Sequence, residues 1–401
     1  MIDRDVIILG QQAWDTDIGS NCKNIAEEVA KHNRVLYVNS PLDRITKWKH
    51  KADQRVQKRI AVIEGKSEGL VHVSDNIWNL FPDCLVESIN WIDNKLIFDF
   101  FNKRNNVKFA KSIQRAIKKL GFKDVILFND SEMFKGYYLA DLLKPELSIY
   151  YSRDFMLAVD YWKRHGERLE PKLMAKSNLC LANSFYLTDY CSQYNPYAYY
   201  VGQGCDLQIF KVNEHAQKPV ELADIHTPVV GYVGALQSLR LDIALIRHLA
   251  TERPDWTVVL VGPEDDDFKK SDLHGLKNII FTGSKPIADL ASYIQFFDVC
   301  INPQVVNQVT VGNYPRKIDE YLAMGKPIVA TKTRAMELFK DHVYLAEGKA
   351  DYITCIGRAL REDNKELQQS RKDFAESHTW ENSVKNIYSA IADYIAKNAT
   401  L

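Results

Sequence analysis

The sequence predicts an α/β chain of two Rossmann-like halves, each a parallel sheet with helices on both faces. Three observations lead there. Short apolar, β-branched runs alternate with helical periodicity from one end to the other, as strands buried on both faces require. The 401 residues are too many for one ordinary core and suit two domains. A polar stretch at 210–227, with Pro219 and Pro228 flanking Glu221 and Asp224, interrupts the alternation near the middle.

In the first half, strands are expected at 5–9, 34–39, 124–129, 148–152, 178–182 and 198–201. Phe109, Ile113, Ala116, Ile117 and Leu120 recur at helical spacing, and Gly121 stands where a helix-ending glycine belongs. In the second half, strands are expected at 229–233, 256–261, 278–282, 299–302, 327–330 and 342–345. The domains are therefore placed at 1–210 and 211–376, with a last helix at 377–401.

At 46% hydrophobic and 26% charged residues the chain can bury two cores. Lys+Arg and Asp+Glu are equal at 52 each, which argues against a chain-wide nucleic-acid surface. Met1 leads into a short strand rather than a basic region and long apolar run, so no signal peptide is expected. No apolar stretch is long enough to cross a bilayer. The seven cysteines lack paired spacing, and Cys180 and Cys300 fall in apolar runs as core residues do, so a cytoplasmic location is expected. The ten histidines show no metal-ligand spacing, and no Gly-x-Ser-x-Gly elbow is present. The segment 44–59 carries seven Lys/Arg against one acid together with Trp48, which suits an anionic membrane surface as well as a solvated basic segment.

The richest segment is Asn313 to Thr331. Pro315 suits a helix start, Lys317 and Glu320 fall on one face, Gly325 ends the helix, and 327–331 supplies a buried strand. A cation and a carboxylate one turn apart near a helix start can hold a diphosphate and a ribose together.

The run Pro315-x-Lys317-x-x-Glu320-Tyr321-Leu322-Ala323-x-Gly325-Lys326-Pro327 resembles the donor-binding motif of GT-B glycosyltransferases of bacterial polysaccharide assembly, the group 1, teichuronic-acid or xanthan type. Three further segments resemble the family in the right order. Val201 to Phe210 is similar to the end of its first domain, Val229 to Leu236 to the first strand and glycine loop of its second, and Ser377-His-Thr-Trp-Glu381 to the entry of its last helix. The resemblance implies two Rossmann-like domains facing a central cleft, with the last helix crossing back onto the first.

It also implies transfer of a sugar from a nucleotide diphosphate, a UDP-sugar by preference, to a lipid-linked or saccharide acceptor, without a metal or other cofactor. Gly19, Gly234, Arg240, Tyr314, Lys317 and Glu320 are the implied donor-binding residues. Ile149 to Phe155 resembles an acceptor-side segment of related transferases, in which Asp154 would be the general base. An equally ordinary role for Asp154 is capping a helix that starts at Phe155. Asp130 and Glu132 are the reserve acceptor-side candidates. Asp15-Thr-Asp17 superficially matches a metal-binding Asp-x-Asp, and Glu264 to Asp267 reads as an exposed acidic loop rather than a metal cage. Where the family commonly carries a first glutamate eight residues before the second, this chain has Gly312, so the stereochemical course stays open. A UDP-sugar epimerase and a catalytically silent nucleotide-sugar-binding or scaffold module are the alternatives. The expected setting is the cytoplasm, with peripheral contact at the inner face of the plasma membrane.

Overall fold

A computed structural model describes residues 1–16 and 19–398 of the chain. It divides into two units, residues 1–203 with the helix Trp380–Asn398, and residues 204–379.

The first unit holds strands β1 (Asp5–Gly10), β2 (Arg34–Asn39), β3 (Leu42–Asp43), β4 (Leu70–Ser74), β5 (Ile77–Leu80), β6 (Leu85–Val86), β7 (Ile126–Asp130), β8 (Leu147–Ser152), β9 (Leu179–Ala182) and β10 (Ala198–Tyr200). Eight form one sheet in the order β10-β9-β8-β7-β1-β2-β5-β4, and β3 pairs with β6 apart from it. Among the described residues, only β4 runs antiparallel to its neighbour, β5. Alternate residues of the central strands face opposite layers. Val6, Ile8 and Tyr37 pack on one side with helices Asn21–Ala30 and Trp380–Asn398, and Ile7, Leu9 and Leu36 on the other with Phe109 and Ile113 of helix Lys95–Leu120. The C-terminal helix contributes Val384, Ile387 and Ile391 to that core, and Tyr199 donates to Asp393 at 2.6 Å.

The second unit holds β11 (Val229–Val233), β12 (Thr257–Val261), β13 (Ile279–Gly283), β14 (Val299–Asn302), β15 (Ile328–Thr331) and β16 (Tyr344–Ala346), all parallel, in the order β13-β12-β11-β14-β15-β16. Each strand expected here from the sequence is present to within two residues. Strand order reverses between β11 and β14, and ligands of such sheets bind at that point, beyond the carboxyl ends of the strands.

Two expectations are corrected. The units part at Gln203–Gly204 rather than at 210, because Cys205 and Phe210 are buried in the second core with Leu222 and Val229. No helix starts at Phe155: a short 3-10 turn, Met156–Ala158, precedes the helix Asp160–Lys176, so Asp154 caps neither. Among the described residues no helix is long and apolar enough to cross a membrane.

Candidate functional site

At the carboxyl ends of β11 and β14 lies a cavity of about 550 Å³, lined among others by Gly234, Arg240, Tyr314, Lys317 and Glu320. Five of the six donor-side residues named from the sequence thus share one wall. The sixth, Gly19, is exposed in a loop of the first unit.

The loop after β11 is tight. Gly234 has φ +143°, and a Cβ there would stand 3.2 Å from Lys317 Cε. Gly262, at φ +151°, presses on it: a Cβ would meet the Gly234 carbonyl oxygen at 2.0 Å. The Gly234 N–H donates to Val261 O at 2.8 Å, so this glycine supplies room for the lysine stem, and its own N–H is taken.

The helix Arg316–Ala323 begins one residue after Pro315 and buries Ile318, Tyr321 and Leu322. Its seat is fixed by the Tyr321 hydroxyl, which accepts the Val233 N–H at 2.8 Å. That face being buried, Lys317 and Glu320 are turned to the cavity. Lys317 Nζ lies 4.9 Å from the Tyr232 ring centroid, a cation–π distance. Burial raises the Glu320 carboxyl above the ordinary glutamate value, while Arg316 and Lys317 pull it down. Asp319 is fully buried, with Oδ1 2.6 Å from His378 Nδ1 and Oδ2 accepting from Cys205 Sγ at 3.2 Å. Tyr314 lines the cavity and its hydroxyl stands 3.2 Å from the same His378 nitrogen. Lys326, in the same motif, is structural, since Nζ donates to the carbonyls of Gln295 and Phe297 at 2.6 and 2.8 Å.

Among the cavity residues that the sequence reading did not single out are Arg316 and Asn302. Arg316 is exposed at the helix start and adds a second cation beside Lys317. Asn302, at the end of β14, is 3% exposed, and its amide nitrogen finds no hydrogen-bond partner among the described residues. An unpaired buried donor is costly, and a ligand oxygen in this cavity is the natural acceptor. Nothing in the local sequence around Asn302 signals this.

In the first unit, Asp130 ends β7 and is fully buried. It accepts from Arg153 Nε at 2.8 Å, and Arg153 Nη1 reaches Asp154 Oδ2 at 3.1 Å. The Asp130 charge, ahead of a second contribution from Asp154, raises the Arg153 pKa, so one permanent cation joins the two carboxylates. Asp154, its side chain 45% exposed, faces solvent, whereas Asp130 does not. Glu132 Oε1 accepts the N–H groups of Phe134 and Lys135 at 3.1 and 3.0 Å, a turn-holding role. Of the acidic pairs, Asp15 is bound by Arg59 at 2.8 Å, and Asp17 lies outside the described residues. Asp265 caps the helix Asp266–Lys269, and Glu264 pairs with His274 at 2.9 Å.

Residues 227–375 match the family model described as glycosyl transferases group 1. A Bacillus subtilis protein, named as a glycosyltransferase of teichuronic acid biosynthesis, is 28% identical over 187 residues, 45% of this chain and 47% of that one. The chain thus spans about half the length of that curated relative. Among solved structures, sucrose-phosphate synthase of Thermosynechococcus elongatus superposes with a TM-score of 0.67 at 14% identity, covering 98% of this chain and 100% of the other. HepE of Anabaena, solved with UDP and glucose, gives 0.63 at 16% identity over 97% and 100%. An α,α-trehalose 6-phosphate synthase of Burkholderia multivorans gives 0.63 at 9% over 99% and 100%. These likenesses establish a GT-B fold.

Proposed function

We propose, from a GT-B fold in which residues 227–375 are a group 1 glycosyltransferase domain, that this chain moves a sugar from a nucleotide diphosphate, a UDP-sugar, to a lipid-linked or saccharide acceptor of surface-polysaccharide assembly. The observation that carries the reading is the cavity beyond β11 and β14. There Lys317 and Arg316 meet the diphosphate, helped by the partial positive charge of the helix start. Glu320 accepts from the ribose hydroxyls, and Asn302 donates to the ligand. Arg240 offers a further cation from the loop after β11. Anabaena HepE, solved with UDP and with UDP-glucose, supports the choice of nucleotide.

Fixed cations and a helix dipole stabilise the departing diphosphate, so in this reading the transfer needs no metal ion. Asp154 receives the proton of the attacking acceptor hydroxyl in an inverting transfer and orients that hydroxyl in a retaining one, with Arg153 holding its carboxylate in place. Peripheral contact with the inner face of the plasma membrane fits the helix Arg44–Lys49, where Trp48 is 78% exposed among Arg44, Lys47 and Lys49. The test is incubation of the pure protein with a panel of nucleotide sugars, with and without lipid extract. Acceptor-dependent release of UDP supports transfer. Interconversion of sugars without acceptor, or binding with no turnover, overturns it.

A further inference from the structure

A second cavity, of about 410 Å³, lies wholly within the first unit; of its lining the sequence reading named Glu132 as a site candidate, and Ile45 and Thr46 fall in the basic segment 44–59. Its volume falls in the range of roughly 300–1,000 Å³ usual for small-molecule sites. One wall is aromatic. The Trp162 and Phe134 rings stack with centroids 5.3 Å apart at 19°, and Phe98 and Tyr161 meet Phe134 edge-on at 6.0 and 6.2 Å.

Most polar groups around this wall already have partners. Asp43 caps the helix Arg44–Lys49 through Thr46 N, Asn105 pairs with both backbone groups of Glu87 at 2.9 Å, and Glu132 holds its own turn. Two buried lining atoms have none among the described residues: Asn102 Nδ2, in a residue 1% exposed, and Asn90 Oδ1. One is a donor and the other an acceptor. A sugar hydroxyl is both, and the faces of a pyranose are apolar enough to lie on aromatic rings.

The rim of the same cavity is apolar and open to solvent. Ile45, Trp91 and Tyr161 line it while remaining 40%, 65% and 53% exposed. On the helix Lys95–Leu120, Phe98 and Asn102 face the cavity, whereas Leu96 and Phe100 are 81% and 56% exposed. So much bare apolar surface beside a polar-tipped pocket calls for an apolar occupant joined to a polar one.

We infer that this cavity holds the acceptor, and that the acceptor is a glycoside with an apolar chain: its sugar ring lies between the Trp162–Phe134 wall and the amides of Asn102 and Asn90, and its chain runs out over Trp91 and Ile45. This rests on the sugar transfer proposed above, but its test does not depend on turnover. The full chain is titrated with octyl glycosides of glucose, galactose and N-acetylglucosamine below their micelle concentrations, with 1-octanol and the methyl glycosides as controls, and separately with UDP. At least one octyl glycoside should bind more tightly than both controls. Asn102→Leu keeps the side-chain shape and removes the unpaired amide nitrogen; the Asn106 Nδ2 that reaches Asn102 Oδ1 at 3.3 Å keeps its bonds to the carbonyls of Asn102 and Phe134. The substitution should weaken that binding by about fivefold or more and change the melting temperature little. Trp91→Ala, at an exposed position, should weaken the octyl glycoside and leave the methyl glycoside unchanged. UDP affinity should be the same in all three proteins. The inference is overturned if no octyl glycoside binds, if 1-octanol binds as well as the glycosides, or if both variants bind as the parent does. Loss of UDP binding by the parent would instead count against the donor assignment alone.

Discussion

Asp319 Oδ1 lies 2.6 Å from His378 Nδ1, and through this contact the helix bearing Lys317 and Glu320 is tied to the segment where the chain leaves the second unit. The other oxygen takes Cys205 Sγ at 3.2 Å, close to where the chain enters that unit, and the Cys205 N–H donates to His378 O at 2.9 Å. A single buried carboxylate therefore ties both ends of the unit to the helix whose Lys317 and Glu320 line its cavity. Asp319→Ala orphans two polar partners and should cost about 3 kcal/mol in urea unfolding, with Asp319→Asn losing less. An Asp319→Ala protein as stable as the parent would show that the contact carries no weight.

Lys317 and Glu320 make opposite electrostatic demands on one ligand. Lys317→Ala removes a charge-assisted contact to phosphate, worth roughly 1.5–3 kcal/mol, and should weaken UDP and inorganic diphosphate alike. Glu320→Ala should weaken UDP and leave diphosphate nearly intact. Calorimetry on both variants distinguishes the two. If each binds UDP as the parent does at an unchanged melting temperature, the helix faces no nucleotide.

The Glu320 carboxyl also gives a pH signature. Burial lifts its pKa above the ordinary 4.5, so over the span from 4.5 to its folded value the folded chain keeps a proton that the unfolded chain has released. Stability falls as pH rises through that span, and the deficit persists at neutral pH. Glu320→Gln, uncharged and of equal size, should melt higher than the parent at neutral pH, with the gap closing as pH drops towards 4.5. The same variant should bind UDP less well. A melting difference independent of pH would mean that the carboxylate is not penalised by the fold.

Asp154→Asn keeps size and a possible hydrogen bond from Arg153 while removing charge and basicity. Turnover should drop by about a hundredfold or more, as for a lost general base, with UDP affinity unaffected. Full turnover in a folded Asp154→Asn protein would leave the residue as no more than a surface partner of Arg153.

The basic stretch 44–59 folds as two helices, Arg44–Lys49 and Gln54–Ile63, with Val56 and Ile60 buried and Trp48 left 78% exposed. Trp48→Ala should reduce co-sedimentation with vesicles containing anionic lipid, and added salt should reduce it further, since each basic residue near such a surface adds about 1 kcal/mol. Binding indifferent to both lipid charge and salt would remove the membrane role.

The sequence by itself determined the two parallel sheets and the helix that carries Lys317 and Glu320. Strands buried on both faces must be apolar along their whole length, and helix face, stop glycine and following strand are all written within about twenty adjacent residues. Strands β4 and β5 were not legible, because β4 is an exposed antiparallel edge with no continuous apolar run. Only the tertiary structure decided that Asp130 is spent on Arg153, that Asp154 caps no helix, that the first unit ends at Gln203, and that the amide nitrogens of Asn302 and Asn102 have no hydrogen-bond partner among the described residues. Those outcomes depend on which side chains meet across long separations: Cys205 and Asp319 stand 114 positions apart, a pairing that no local pattern encodes. Burial then fixes the chemistry, since a polar atom removed from water must find a partner in the fold or in a ligand.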